Sequence, residues 1–210
     1  MPCDRVAGSW WGQTPAARGA PWTDSRVDQN GDLFVAVDGG SKAHRAVPRC
    51  WGVLAFGPRA DGPVGPSNAI PLPFSQFAIA VGQRGELYAS GFFSKAVFVI
   101  SDPMHATRPS GGFPNPYPRS LAAGDGIYVF DNAVGSARVY EMRSEPTLHV
   151  LFLQEAQSLT PSIAVFGAAV YTVESLEHRI LLYAKEGNGI VPPILQVPTI
   201  ENVTSLAIGR

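Results

Sequence analysis

The chain has few of the residues that mark several common classes of protein. Two cysteines, Cys3 and Cys50, are too few for a disulfide framework. Only 16% of the 210 residues are charged and the formal net charge is −1, whereas nucleic-acid-binding and membrane-surface proteins usually carry a basic excess. No apolar run approaches the ~20 residues of a membrane helix, and no signal peptide is evident. We therefore expect no membrane or nucleic-acid partner, with the cytoplasm as the default compartment.

Turn-forming residues, in contrast, are abundant and spread along the chain. The sequence has 22 glycines and 19 prolines, about a fifth of all its residues. Such frequent breakers leave little room for helices of ten or more residues. Hydrophobic residues make up 45% of the chain, enough for a folded core. Many short strands are the natural prediction, in one domain over residues 25–210 that follows a flexible segment at residues 1–24.

A pattern of a small residue, an aliphatic residue, alanine and another small or aliphatic residue recurs at intervals of 42 or 43 residues. An aliphatic–aromatic pair marks the second strand of each repeat. Repeats of about 40–50 residues made of short strands are typical of β-propellers. The sequence therefore predicts an all-β propeller of about four blades. The four-residue patterns are centred on Ile79, Leu121, Ile163 and Leu206, and the pairs are Leu33-Phe34, Leu87-Tyr88, Ile127-Tyr128 and Val170-Tyr171.

The first and last repeats depart from this pattern. The first repeat has an insertion at residues 38–51, and its residues 23–29 are too polar to predict a first strand. The last repeat consists only of an innermost strand at residues 205–209. One interpretation is that residues 206–209 complete the blade begun at residues 32–37 and close a four-bladed ring, which removes an unpaired sheet edge. The alternative is a fragment of a six-bladed ring.

Short motifs of the chain resemble those of the NHL-repeat propellers. The best matches are residues 177–183 and Asp131-Asn132 followed by Arg138-Val139-Tyr140, while residues 30–36 fit the turn and second strand. The resemblance covers roughly residues 26–210 and extends more distantly to propellers of the regucalcin/gluconolactonase type. It implies a propeller that usually has six blades. The lactonase-type relatives also hold a divalent metal at the mouth of the central channel.

Loops on one face of a propeller surround the channel mouth, and two groups of residues on that face are candidates for binding. In the insertion, potential cations lie beside an aromatic residue, a combination that can bind an acidic peptide, a phosphate or single-stranded nucleic acid. The alternative is that the insertion is a solvent-exposed loop without a ligand. In the later repeats, acid–arginine pairs either brace a hairpin or contact a ligand. The first group is Lys42, His44, Arg45, Arg49 and Trp51, and the second is Asp131, Arg138, Glu174, His178 and Arg179.

No sequence pattern indicates catalysis. The chain has no nucleophile elbow, no His-Glu-x-x-His and no phosphate loop, and its histidines lack ligand spacing. Glu201 is the one carboxylate near the predicted channel entrances, whereas a hard cation generally needs several oxygen ligands. We expect no cofactor, no metal site and a non-catalytic scaffold that binds a protein or peptide through the loop face. A metal-dependent hydrolase or lactonase of the regucalcin type is the alternative, and the sequence leaves the ligand and the oligomeric state open.

Overall fold

A computed structural model describes residues 22–37, 52–58, 64–73, 78–91, 94–115, 118–131, 137–142, 149–154, 162–174, 177–187, 189–199 and 206 of the chain. These residues form strands and turns. Within the described ranges, no helix has the length and hydropathy needed to cross a membrane. The strands make four small sheets, so the prediction of an all-β fold with about four blades is confirmed.

The chain divides into two compact units, and the first, residues 1–113, contains sheets 1 and 2. Sheet 1 has the strand order β1-β2-β3-β4, and sheet 2 has the order β5-β6-β7-β8. The strands are β1 (Trp22–Val27), β2 (Leu33–Val37), β3 (Gly52–Phe56), β4 (Asn68–Pro71), β5 (Ala78–Val81), β6 (Leu87–Ser90), β7 (Ala96–Ile100) and β8 (Gly111–Pro114).

The second unit, residues 114–210, contains sheets 3 and 4. Sheet 3 has the order β9-β10-β11-β12-β16, and sheet 4 has the order β13-β14-β15-β17. The strands are β9 (Pro118–Ala123), β10 (Ile127–Asp131), β11 (Ala137–Met142), β12 (His149–Leu153), β13 (Ile163–Phe166), β14 (Ala169–Glu174), β15 (Arg179–Ala184), β16 (Gly189–Val191) and β17 (Leu195–Pro198).

Each unit buries an apolar core that includes residues of both its sheets. Because side chains alternate between the two faces of a strand, the core residues of each strand lie two positions apart. In the first unit they include Phe34, Ala36, Val53 and Ala55 of sheet 1 and Ile79, Leu87, Ala89 and Ile100 of sheet 2. In the second unit they include Tyr128, Phe130, Val139 and Leu151 of sheet 3 and Ile163, Val165, Val170, Leu181 and Tyr183 of sheet 4.

The connection between the third and fourth strands of a sheet reaches a neighbouring sheet in both units. In the first unit, the Asn68 side chain at the start of β4 donates hydrogen bonds to the carbonyl oxygens of Pro103 (3.0 Å) and Ala106 (2.9 Å), which lie between β7 and β8. In the second unit, β16 lies between β15 and β17 in sequence but pairs in parallel with β12. The outer edge of sheet 3 is thereby extended by a strand from the sheet 4 connection.

The innermost position of sheet 1 differs from the sequence prediction. Strand β2 is paired by β1 on one side and by β3 on the other. The predicted pairing of residues 206–209 with β2 is therefore wrong. The polar β1 can take this position because its charged side chains find partners: Arg26 donates to the Asp24 carboxylate, which also accepts the Ile79 amide at 3.0 Å.

Candidate functional site

The small residue of the repeated pattern is a serine in two of the described repeats, and there its side chain accepts a hydrogen bond from the backbone of the following repeat. Ser120 Oγ accepts the amide of Ile163 at 3.3 Å. Ser162 Oγ accepts the amide of Leu206 at 3.0 Å. We call these contacts latches, since each joins the innermost strand of one repeat to the beginning of the next.

Sheet 1 has the same latch with a different side chain. Asp24 lies opposite Ala36, and Ser120 lies opposite Phe130. Ala36 and Phe130 occupy equivalent positions, because each comes two residues after the aromatic residue of its aliphatic–aromatic pair. Asp24 Oδ2 accepts the amide of Ile79 at 3.0 Å. Burial raises the pKa of the Asp24 carboxyl above its ordinary value, although the charge of Arg26 and the hydrogen bonds oppose that shift. The carboxylate therefore holds the first two repeats together at a desolvation cost that a serine avoids.

A row of four side chains crosses sheet 3 from its buried interior to its exposed edge. Asp131 is opposite Arg138, Arg138 is opposite Phe152, and Phe152 is opposite Ile190. Residues directly opposite each other project from the same face of a sheet. Asp131 is fully buried, whereas Phe152 is 37% and Ile190 76% exposed. We call Arg138, Phe152 and Ile190 the recognition row.

The arginine of this row is held against the aromatic ring. The Arg138 guanidinium carbon lies 5.3 Å from the centroid of the Phe152 ring, within the range of a cation–π contact. Arg138 is half-buried and makes further interactions of its own. A cation, an aromatic ring and an aliphatic side chain are thus adjacent on the outer part of one sheet face.

Sheet 4 repeats the acid–arginine pair at the equivalent position. Glu174 is only 2% exposed and lies opposite Arg179, just as Asp131 lies opposite Arg138. Arg179 also forms an ion pair with Glu177 and donates to Gln196 Oε1 at 2.8 Å. The neighbouring His178 is exposed in a turn with a φ of +52°, where its carbonyl accepts the Thr199 amide at 2.6 Å.

The two acid–arginine pairs do not converge on one site. Glu174 shares its sheet face with Thr172 and Leu181, and this face contributes to the core that includes residues of sheet 3. Asp131 follows Phe130 directly in β10 and therefore projects from the opposite face of sheet 3, away from that core. The sequence prediction thus places each acid opposite its arginine, whereas the structure shows that the two pairs lie on different faces of their sheets and that Phe152 and Ile190 extend the row beyond Arg138.

The first predicted group lies outside the described residues, and two residues of the recognition row escaped the sequence analysis. Lys42, His44, Arg45, Arg49 and Trp51 all belong to the ranges that are not described. Phe152 alternates with the buried Leu151 and Leu153 in β12, a period-two signal that marks its exposed face. Ile190 has no comparable signal, because its exposure follows from the pairing of β16 with a distant strand.

Two tyrosine–carboxylate contacts fix the first turns of sheets 2 and 3. In sheet 3, Asp125 Oδ1 accepts the Tyr128 hydroxyl and Oδ2 accepts Lys185 Nζ, both at 2.6 Å. Hydrogen bonds from Lys185 and Tyr128 lower the pKa of Asp125 to about 2. In sheet 2, the Glu86 carboxylate accepts a hydrogen bond from the Tyr88 hydroxyl at 3.2 Å. Burial of Tyr88 and the charge of Glu86 raise the pKa of Tyr88 to about 12. Lys185 directly follows β15, so the Asp125 contact also joins sheets 3 and 4.

Within the ranges that the structure describes, no three His, Cys, Asp or Glu side chains come together in a group that could hold a metal ion. No protein-family profile matches the sequence. No curated protein matches it either.

Several solved structures match the fold. A catalytically inactive variant of virginiamycin B lyase from Staphylococcus aureus, solved with quinupristin, matches with a TM-score of 0.61 at 12% identity, over 90% of this chain and 58% of that one. A protein of unknown function from Desulfotomaculum acetoxidans DSM 771 matches with a TM-score of 0.65 at 10% identity, over 91% and 61%. The complex of KlAtg21 with the coiled coil of AgAtg16 matches with a TM-score of 0.56 at 10% identity, over 83% and 57%.

These similarities establish the fold class alone. The chain has the fold of a four-bladed β-propeller, and it spans about three fifths of each of these three structures. At 10–12% identity, neither the lyase nor the coiled-coil complex assigns its function to this chain. The propeller prediction is confirmed, while the narrower resemblance to NHL repeats stays a prediction.

Proposed function

We propose that the chain is a non-catalytic binding scaffold for a protein or peptide segment that carries both acidic and apolar side chains. The observation that supports this proposal is the recognition row, in which Arg138 lies over the ring of Phe152 and Ile190 is the strand partner of Phe152. Arginine and aromatic residues are the types that most often dominate binding energy at protein interfaces. The row therefore offers one charged and two apolar contacts on a single sheet face.

The geometry favours an acidic segment over a purely apolar one. A guanidinium is weakly hydrated and presents donors in a planar fork, which suits a carboxylate. Contact with the Phe152 ring restricts the side-chain motion of Arg138, so less conformational entropy is lost when a ligand binds. An apolar side chain two residues along an extended ligand would then reach Phe152 or Ile190, since alternate residues of a strand project from one side.

The loop-face residues of the sequence analysis belong to the same proposal. Lys42, His44, Arg45, Arg49 and Trp51 belong to the first unit, and as a group of cations with an aromatic residue they have the same chemical preference for an acidic partner. Glu174, His178 and Arg179 would serve mainly to hold the β14–β15 turn, because Glu174 is buried and Arg179 is committed to Glu177 and Gln196.

A random 12-residue peptide library displayed on phage tests the proposal, because selection from it assumes no particular partner. We expect selection on the intact protein to enrich peptides that combine Asp or Glu with an aliphatic or aromatic residue. Synthetic versions of these peptides should bind at least ten-fold more weakly to R138A, F152A and I190D. The matched controls are R84A, F166A and I194D, which change exposed side chains outside the row. Equal loss of binding in both sets, or enrichment without acidic residues, would contradict the proposal.

A further inference from the structure

Strand β16 forms the outer edge of sheet 3. Among the described strands it pairs with β12 alone, in parallel, with Phe152 opposite Ile190 and Leu153 opposite Val191. The amide of Gln154 donates to the carbonyl oxygen of Val191 at 3.0 Å, so the main-chain groups of Val191 face β12. Because the main-chain groups of successive residues in a strand point to opposite sides, the N–H and C=O of Ile190 face away from the sheet.

The side chains of β16 alternate as well. Val191 is 6% exposed and belongs to the core of the second unit, whereas Ile190 is 76% exposed. Strand β16 contains no charged residue and no proline, the residues that commonly block pairing at a sheet edge. Outward N–H and C=O groups beside an exposed apolar side chain therefore form a template for a further strand.

Proline limits how much of this edge can pair. Pro192 and Pro193 follow β16 directly, and neither has an N–H to donate. The next amide along the chain, that of Ile194, already donates to the Leu182 carbonyl oxygen at 2.7 Å. A segment that pairs with β16 therefore makes few main-chain hydrogen bonds and must gain the rest of its affinity from side chains.

The side chains nearest this edge are those of the recognition row. A further strand would continue the row by one position, about 4.8 Å beyond Ile190. The Arg138 guanidinium lies over the ring of Phe152, which belongs to the strand next to β16. About two strand spacings, roughly 10 Å, thus separate that ring from the added strand. A glutamate side chain and its hydrogen bonds to the guanidinium can bridge this distance together.

We propose that the acidic partner segment binds as a sixth strand of the five-stranded sheet 3, paired with β16 through the N–H and C=O of Ile190. This inference rests on the proposed function and adds the conformation of the ligand. An apolar residue lies opposite Ile190, and a glutamate two residues away reaches Arg138. In binding by strand addition, main-chain hydrogen bonds add affinity and alternate side chains add specificity. Sheet 3 already contains one strand from a distant segment, since β16 comes from the connection of sheet 4.

Backbone N-methylation of a synthetic peptide tests the inference. The peptide is a 12-residue sequence selected from the phage library on the intact protein, and each N-methyl group removes one N–H without changing a side chain. We expect methylation of the residues whose amides face β16 to weaken binding by about ten-fold. Methylation of the residues directly beside them is the matched control and should leave binding nearly unchanged. Because only the peptide is modified, the folding of the protein is not affected.

The amide of Ile190 gives an independent measurement. Its exchange with deuterium, followed by NMR, should slow by about ten-fold when the peptide is bound, because its N–H then donates to the added strand. A peptide that requires Arg138 and Phe152 but tolerates every N-methyl group and leaves this exchange unchanged would overturn strand addition, while the proposed function would stand. Selected peptides that bind equally well to R138A and F152A would contradict the proposed function and this inference together.

A second copy of the chain is the other possible occupant of this edge. Sedimentation over a range of concentrations, without peptide, tests for it. We expect a mass that does not depend on concentration and an Ile190 amide that exchanges rapidly. Concentration-dependent dimers in which the Ile190 amide is protected would show that β16 pairs with a second copy, which would overturn the proposed occupant.

Discussion

The latch made by Ser120 gives the most specific prediction about stability. Ser120 is 7% exposed, and its hydroxyl accepts the amide of Ile163, which is 2% exposed. The substitution Ser120→Ala removes this acceptor and only one heavy atom, so the main effect is a buried backbone N–H that has lost its hydrogen bond. A buried donor left unsatisfied costs about 1–3 kcal/mol.

This loss is measured by urea unfolding of the S120A variant. We expect the free energy of unfolding to fall by about 1–3 kcal/mol with an unchanged dependence on urea, because the exposed surface of the unfolded chain is the same. In a protein of this size, the melting temperature should fall by about 2–4 °C for each kcal/mol lost. Hydrogen exchange adds a local measurement, since the amide of Ile163 should exchange faster than in the natural sequence.

Thr172→Val is the matched control, because it also removes a buried hydroxyl of the second unit. Among the described residues the Thr172 hydroxyl has no hydrogen-bond partner, and the side chain is 1% exposed. Replacing an unpaired buried hydroxyl by a methyl group of similar shape should leave stability unchanged or increase it by about 1 kcal/mol. If S120A and T172V changed stability equally, the hydrogen bond from Ile163 to Ser120 would have no energetic role.

Individual side chains give three further predictions. Asp24→Ser should be at least as stable as the natural sequence at pH 7, whereas Asp24→Ala should be about 1–3 kcal/mol less stable than Asp24→Ser, because only serine keeps an acceptor for the Ile79 amide. Because the pKa of Asp24 is raised, the natural sequence should gain stability relative to Asp24→Ser as the pH falls. A stability difference that stays constant across pH would contradict this expectation. The pKa of Asp125 is lowered from 3.8 to about 2, so the advantage of the natural sequence over D125N should be complete above pH 3.8 and disappear as the pH falls through 2, as measured by unfolding at each pH. Millimolar Ca²⁺, Mn²⁺ or Zn²⁺ should leave the melting temperature unchanged relative to salt of equal ionic strength, and a reproducible increase would support the metal-dependent hydrolase instead, since a bound ion stabilises the folded state.

The repeat period predicted the fold well because the innermost and second strands of sheets 2, 3 and 4 pair in the same way. The aliphatic–aromatic pairs all lie in second strands, and the small–aliphatic–alanine patterns centred on Ile79, Leu121 and Ile163 lie in or next to innermost strands. The prediction missed β4, β8 and β16, which are short and rich in proline, glycine or both. Such strands exist only because a neighbouring strand offers hydrogen bonds, and local composition argues against them.

The innermost strand of sheet 1 was missed for a different reason. Its sequence at residues 22–27 has charged residues where the other repeats have small and apolar ones. Asp24 performs the latch that serine performs elsewhere, and Arg26 compensates part of its charge. A pattern defined by hydrophobicity cannot recognise this substitution, whereas a pattern defined by hydrogen-bond acceptors would have found it.

The candidate site could be predicted only in part. The acid–arginine pairs are visible because both acids end a second strand and both arginines lie early in a third. The apolar half of the recognition row depends on β16, which crosses from sheet 4 to sheet 3. No local sequence signal specifies that crossing, so the exposed partner of Phe152 becomes visible only in three dimensions.

If the recognition row on sheet 3 binds an acidic, apolar segment, the bound segment should protect the three strands that carry the row. The most direct test is hydrogen exchange of the intact protein with and without a peptide selected from the phage library. We expect slower exchange in Ala137–Met142, His149–Leu153 and Gly189–Val191, and no such change in the R138A variant. Protection confined to strands of sheets 1 and 2, or protection that persists in R138A, would contradict it.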